Sequence, residues 1–171
     1  YYLLFLRGKE PLGKGKAVAN GSNVAELKGA EAMVATAIKN WGRIDIVINN
    51  AGITSPQVFP DIDREEMDLH MGVHVMGAVN TMRAAWPHMV KQKYGRIINT
   101  ASDSMLGFAP QVVYPTAKSA LIGLTRNAGL LGQNYNININ VILPAAFTRL
   151  TNLLPPCDFR DHLERDFQPE K

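Results

Sequence analysis

The stretch YPTAKSALIGLTR, Tyr114 to Arg126, places a phenol and a primary amine four residues apart in an apolar-periodic segment. On a helix this spacing puts both side chains on one face. A phenol, with a pKa near 10, is a poor base at neutral pH. An ammonium within a few Å favours the phenolate; at surface-like dielectric the gain is about 3 kcal/mol, or about 2 pKa units. Such a phenol could take a proton from an alcohol or give one to a ketone. The plain alternative is two solvent-facing residues on one helix. Tyr-x-x-x-Lys arises readily by chance, so the chemical reading requires other groups to converge on the same place.

The flanking elements supply that convergence. Residues 25–41 carry Leu27, Met33, Val34, Ala37, Ile38 and Trp41 at helical spacing. GRIDIVINNAG then gives a short β-branched run, Ile44 to Ile48, bounded by glycines, as expected of a buried strand. Asp63, with Glu66 three residues on, starts a helix with Met67, Met71, Val75, Val79, Met82, Trp86 and Val90 along one face. Pro87 is expected to kink its last turn. GRIINTAS makes a second buried strand, the helix of Tyr114 and Lys118 follows, and residues 137–143 form a third strand stopped by Pro144. Upstream, YYLLFL reads as a buried strand, and residues 7–23 as a Gly-rich loop around a short strand, Ala17 to Ala19.

Alternating helices and strands imply an α/β fold: a doubly wound parallel sheet, Rossmann-like, in three layers, with helices on both faces. In such sheets chemistry gathers at the carboxyl ends of the strands. Three polar clusters fall there: NNAG at 49–52, NTASDS at 99–104 and LPAAFTR at 143–149. The whole chain, 1–171, reads as a single domain.

Composition narrows the partners. The net charge is +3 and the basic residues are scattered, apart from Lys9 to Lys16, which argues against nucleic-acid binding. No apolar run approaches the roughly 20 residues that span a bilayer, so no membrane role is expected. The single cysteine, Cys157, excludes an internal disulfide and has no His at ligand spacing, so no metal is expected. These features fit a cytoplasmic protein. Gly8-KEPL-Gly13-Lys14 nearly matches a phosphate-binding loop, but Gly15 stands where a hydroxyl is needed, and it reads as a solvated basic loop.

NNAG after one strand, a serine at the end of the next, YPTAK opening the following helix and Pro-x-x-x-Thr after the third strand together resemble the short-chain dehydrogenase/reductase family. Within it, GRIDIVINNAGI, TMRAAWPHM, KQKYGRII and PAAFTRLTNLLP are most similar to the (3R)-hydroxyacyl-CoA dehydrogenase part of peroxisomal multifunctional enzymes, so a peroxisomal location is a second expectation. The resemblance implies an enzyme that moves a hydride between NAD or NADP and a small hydroxy/keto substrate. Tyr114 would be its acid–base group, Lys118 would hold the nicotinamide ribose hydroxyls, and Ser102 would hydrogen-bond the substrate oxygen. The resemblance also assigns cofactor contacts to Asn23, Asn50, Ala51, Gly52, Pro144 and Thr148. Asn50 is expected to bridge neighbouring strands, while Ala51 and Gly52 leave room beside the cofactor. Family members form homo-oligomers through helices that correspond to 63–92 and 112–132.

The sequence departs from the family in three places. Ser102 lies one residue nearer to Tyr114 than usual: either the loop is one residue shorter, or Ala101 takes the family position and Ser104 compensates. His74 stands where most members carry asparagine. No Gly-rich pyrophosphate turn precedes NNAG, and the residue that selects NAD or NADP is not found. With Tyr1 rather than Met at the start, the chain reads as truncated at both ends. A non-catalytic relative that serves association only is therefore the competing reading.

Overall fold

The computed structural model describes residues 3–7, 16–55, 58–107, 111–146, 156 and 158–168. Two strands, β1 (Leu3–Arg7) and β2 (Lys16–Asn20), pair antiparallel as a sheet of their own. The second sheet holds β3 (Ile46–Asn49), β4 (Gly95–Thr100) and β5 (Ile137–Ile142), all parallel and in that order. Helices α1 (Leu27–Trp41), α2 (Arg64–His70), α3 (Gly77–Gln92), α4 (Val113–Gly132) and α5 (Asp158–Asp166) complete the chain. This is the Rossmann-like, three-layer α/β class with a parallel sheet.

Local sequence explains the element ends. Gly42 closes α1 at φ +73°, a conformation that favours glycine, and its N–H returns to the carbonyl of Ile38 at 2.8 Å. Asp63 caps α2 by accepting from the Glu66 N–H at 2.7 Å. The expected continuous helix over 63–92 is realised as α2, a π-helical turn over Met71–Met76 and then α3. The wide turn inserts a residue into the helical ladder and brings both His70 and His74 to buried positions. Pro87 lies inside α3, which runs on to Gln92.

The core follows from strand alternation. In register, Val47, Ile97 and Ile139 stand side by side on the face that meets α1, α3 and α4. Val34, Ala37, Met82, Ala85 and Met89 pack onto that row. The opposite face of β3 and β5 exposes Ile46, Ile48 and Ile142.

Candidate active site

At the carboxyl ends of the strands the inward row becomes polar. Asn49 and Asn99 are register partners, two residues beyond Val47 and Ile97, and so face the helices. The Thr81 hydroxyl of α3 donates to Asn49 Oδ1 at 2.6 Å. Asn49 Nδ2 donates to Asn99 Oδ1 at 2.8 Å, and Asn99 Nδ2 to the Thr125 hydroxyl of α4 at 2.9 Å. One chain of hydrogen bonds thus locks two strands to two helices. The sequence reading gave strand bridging to Asn50; the structure gives it to Asn49. Asn50 is exposed, because successive residues of a strand point to opposite faces.

Beside this chain lies a cavity of about 410 Å³, bordered by Asn50, Ala51, Gly52, His74, Thr100 and Lys118 among others. Lys118 is buried, and its Nζ donates to the Thr100 carbonyl at 2.6 Å. Burial holds its pKa down at about 8. The ammonium lies 5.6 Å from the centre of the Tyr114 ring, so the two residues share a face as the spacing predicts.

The electrostatics of the pair differ from the sequence expectation. Burial pushes the Tyr114 phenol above its ordinary value; the adjacent Ser102 hydroxyl pulls it down and the Asp103 carboxylate pushes it up. Half-buried Tyr114 pays the desolvation cost of a phenolate, and the Lys118 amine is directed to the Thr100 carbonyl rather than to the phenol oxygen.

His74 completes the cluster. Its ring meets Tyr114 edge to face, with centroids 5.4 Å apart at 81°. Its Nε2 donates to the Ile53 carbonyl at 2.9 Å. Burial first, and the Lys118 charge second, push its pKa down to about 4, so the ring is neutral at physiological pH. Gly52 lies so near that a Cβ there would come within 2.9 Å of His74 Cε1, which makes glycine the residue that fits.

Of the residues selected from sequence, the structure brings Asn50, Ala51, Gly52 and Lys118 to the cavity wall, with Tyr114 against two of the wall's side chains. Ser102 begins a short 3₁₀ turn, Asp103–Leu106, and its Oγ accepts from the Ser104 N–H at 3.2 Å. Asn23 is exposed and bonds locally to Ala25 and Glu26; its neighbour Val24 borders the cavity. Pro144 is exposed beyond β5, and Thr148 lies outside the described residues. The sequence reading missed Asn49, Asn99, Thr81 and Thr125. Their parity with Val47 and Ile97 was the available signal.

A family model for short chain dehydrogenases matches residues 8–156. The chain belongs to the short-chain dehydrogenase family. The Neurospora crassa peroxisomal hydratase-dehydrogenase-epimerase is 46% identical over 145 residues, which cover 84% of this chain and 16% of that protein. Among solved structures, an NAD+-bound xylitol dehydrogenase superposes with a TM-score of 0.68 at 32% identity, over 72% of this chain and 48% of its own. A variant of ElxO with NADPH bound gives 0.69 at 26% identity, over 74% of this chain and 52% of its own. The chain spans between 16% and 50% of the length of the curated relatives it matches.

Proposed function

We propose that the protein carrying this chain is an NAD(P)-dependent oxidoreductase that interconverts a secondary alcohol and its ketone, with a 3-hydroxyacyl thioester as substrate class. The observation that carries this reading is the convergence of Tyr114, Lys118 and a 410 Å³ cavity at the carboxyl ends of β3 and β4. The residues fit a nicotinamide nucleotide. The Lys118 ammonium uses one donor on Thr100 and keeps two for ribose hydroxyls, and the Thr100 Oγ1 is buried without a partner at the same wall. Asn50, Ala51 and Gly52 offer a wall with little side-chain bulk.

The bound nicotinamide would supply or accept the hydride. In oxidation the Tyr114 phenolate takes the alcohol proton and becomes the phenol; in reduction the phenol gives that proton to the substrate oxygen. Lys118 holds a positive charge beside the ring, which favours the phenolate over the phenol. Ser102 would donate to the substrate oxygen as charge develops there. Its hydroxyl sits beside Tyr114, which supports Ser102 over Ala101 with Ser104 as the family serine. The cofactor contacts assigned to Asn23, Pro144 and Thr148 rest on the family resemblance.

The thioester class and a peroxisomal setting are supported by the name and 46% identity of the Neurospora relative. Self-association through 63–92 and 112–132 is supported by exposed apolar side chains on those segments, Leu69 and Met76 on one and Leu130 and Leu131 on the other.

The test is a fluorescence titration with NADH and with NADPH, beside Tyr114→Phe and Lys118→Ala, followed by turnover of 3-hydroxyacyl thioesters against simple secondary alcohols. Saturable binding that Lys118→Ala weakens, with turnover that Tyr114→Phe removes, is the expected result. Binding of neither cofactor would leave association as the function of this chain.

A further inference from the structure

His70 and His74 stand one helical turn apart across the π-helical turn, both buried, with ring centroids 5.7 Å apart and planes tilted by 31°. Their hydrogen bonds fix the tautomers. The His70 Nδ1 contacts the Glu66 carbonyl at 3.1 Å, and a carbonyl only accepts, so Nδ1 carries the proton. The His74 Nε2 carries the proton for the same reason, since it meets the Ile53 carbonyl at 2.9 Å, a closer contact than the 3.4 Å approach of the Ile53 N–H to the same atom. In its neutral form each ring is left with one bare acceptor nitrogen. These atoms, His70 Nε2 and His74 Nδ1, are both buried and both without a hydrogen-bond partner. Two neighbouring acceptors cannot satisfy each other, and leaving them bare costs free energy. A water has two O–H groups and can donate one to each nitrogen. Nitrogens that share one water lie about 4.5–5.5 Å apart, a span that the ring separation accommodates.

We propose that one buried water joins His70 Nε2 to His74 Nδ1, so that Glu66, His70, His74 and the Ile53 carbonyl form a single hydrogen-bonded line that positions Tyr114. The inference rests on the reading of Tyr114 as the acid–base group. The line has an outer and an inner end. At the outer end Glu66 contacts His70 Nδ1 through Oε1 at 3.3 Å and also accepts from the Ser55 hydroxyl. At the inner end the His74 ring abuts the Tyr114 ring. The charged and titratable groups around it are Glu66 on α2, Lys118 and Tyr114 on α4, and Asp103 behind Tyr114. Lys118 disfavours a proton on His74. His70 and His74 are therefore positioning residues for the Tyr114 ring.

The test uses the full-length protein with 15N-labelled histidine. In the native protein, His70 is expected as the Nδ1–H tautomer and His74 as the Nε2–H tautomer. Both bare nitrogens should show the upfield shift of a hydrogen-bonded acceptor. Glu66→Gln should shift the His74 Nδ1 signal although the two residues share no contact, and His70→Phe should abolish that response. A His74 signal that ignores Glu66→Gln would overturn the line, whatever the activity. Turnover that survives Tyr114→Phe would overturn the proposed function instead, while the resonances still decide whether the line exists.

Discussion

The two ends of the parallel sheet treat polar groups differently. At the amino ends of the strands, polar side chains close gaps in the backbone. Gln92 Nε2 donates to the carbonyls of Ile44 at 2.6 Å and Tyr94 at 2.7 Å. Arg96 donates to the Gly95 and Asn136 carbonyls and lies 4.3 Å from the centre of the Tyr94 ring. Asn136 donates in turn to the Lys93 carbonyl at 3.0 Å. At the carboxyl ends the buried polar atoms without a partner gather: His70 Nε2, His74 Nδ1, Thr100 Oγ1 and Ser104 Oγ. There too lie a buried lysine and a neutral histidine with displaced pKa values. One end is built for stability. The other holds buried groups left without a partner in the fold, a pattern common at reaction centres.

The largest effect expected from this contrast is on turnover. Tyr114→Phe should lower kcat by about 10²–10⁴-fold, with a melting temperature close to that of the parent, because the hydroxyl contributes to chemistry rather than packing. Steady-state kinetics beside thermal melts would check this; an equal loss of stability would erase the distinction between the ends.

A pH effect comes next. Folded His74 stays neutral down to about pH 4, whereas the unfolded side chain binds a proton near 6.5. Between those values the unfolded chain holds more protons, so stability falls as pH drops from 6.5 toward 4. The full effect is about 3 kcal/mol. Urea melts of the parent and of His74→Asn across this range should show the extra slope only in the parent.

At the amino end, Gly132→Ala should destabilise by about 1–3 kcal/mol, since a Cβ there would lie 2.3 Å from the Ile137 carbonyl oxygen, which is backbone and cannot step aside. Cofactor affinity should be retained. A change in affinity larger than threefold would show that the two ends are coupled.

The smallest effect has the opposite sign. Lys118→Met should stabilise the folded chain at pH 7 by about 1 kcal/mol, because burial of an ammonium costs more than its one hydrogen bond returns. The same change should abolish binding of the nicotinamide nucleotide. Denaturant melts and the fluorescence titration together would check it, and a destabilised variant would mean that Lys118 supports the fold.

The sequence by itself determined the elements and the family. Apolar periods of 3.6 and short β-branched runs depend on neighbours along the chain, so α1, β3, β4, α4 and β5 could be placed to within a few residues. Tyr114 and Lys118 were legible for the same reason: helical spacing alone puts them on one face. Whatever depends on residues distant in sequence was decided by the tertiary structure. Asn49 rather than Asn50 bridges the strands because register with Asn99 fixes which face each one takes. The π-helical turn turns His70 and His74 inward together, although the helical period had marked a single continuous helix. The phenol is pushed up rather than down because burial, a property of the whole packed site, outweighs the hydrogen bond from Ser102. Spacing reports direction along one element, whereas desolvation and register exist only once the elements have packed.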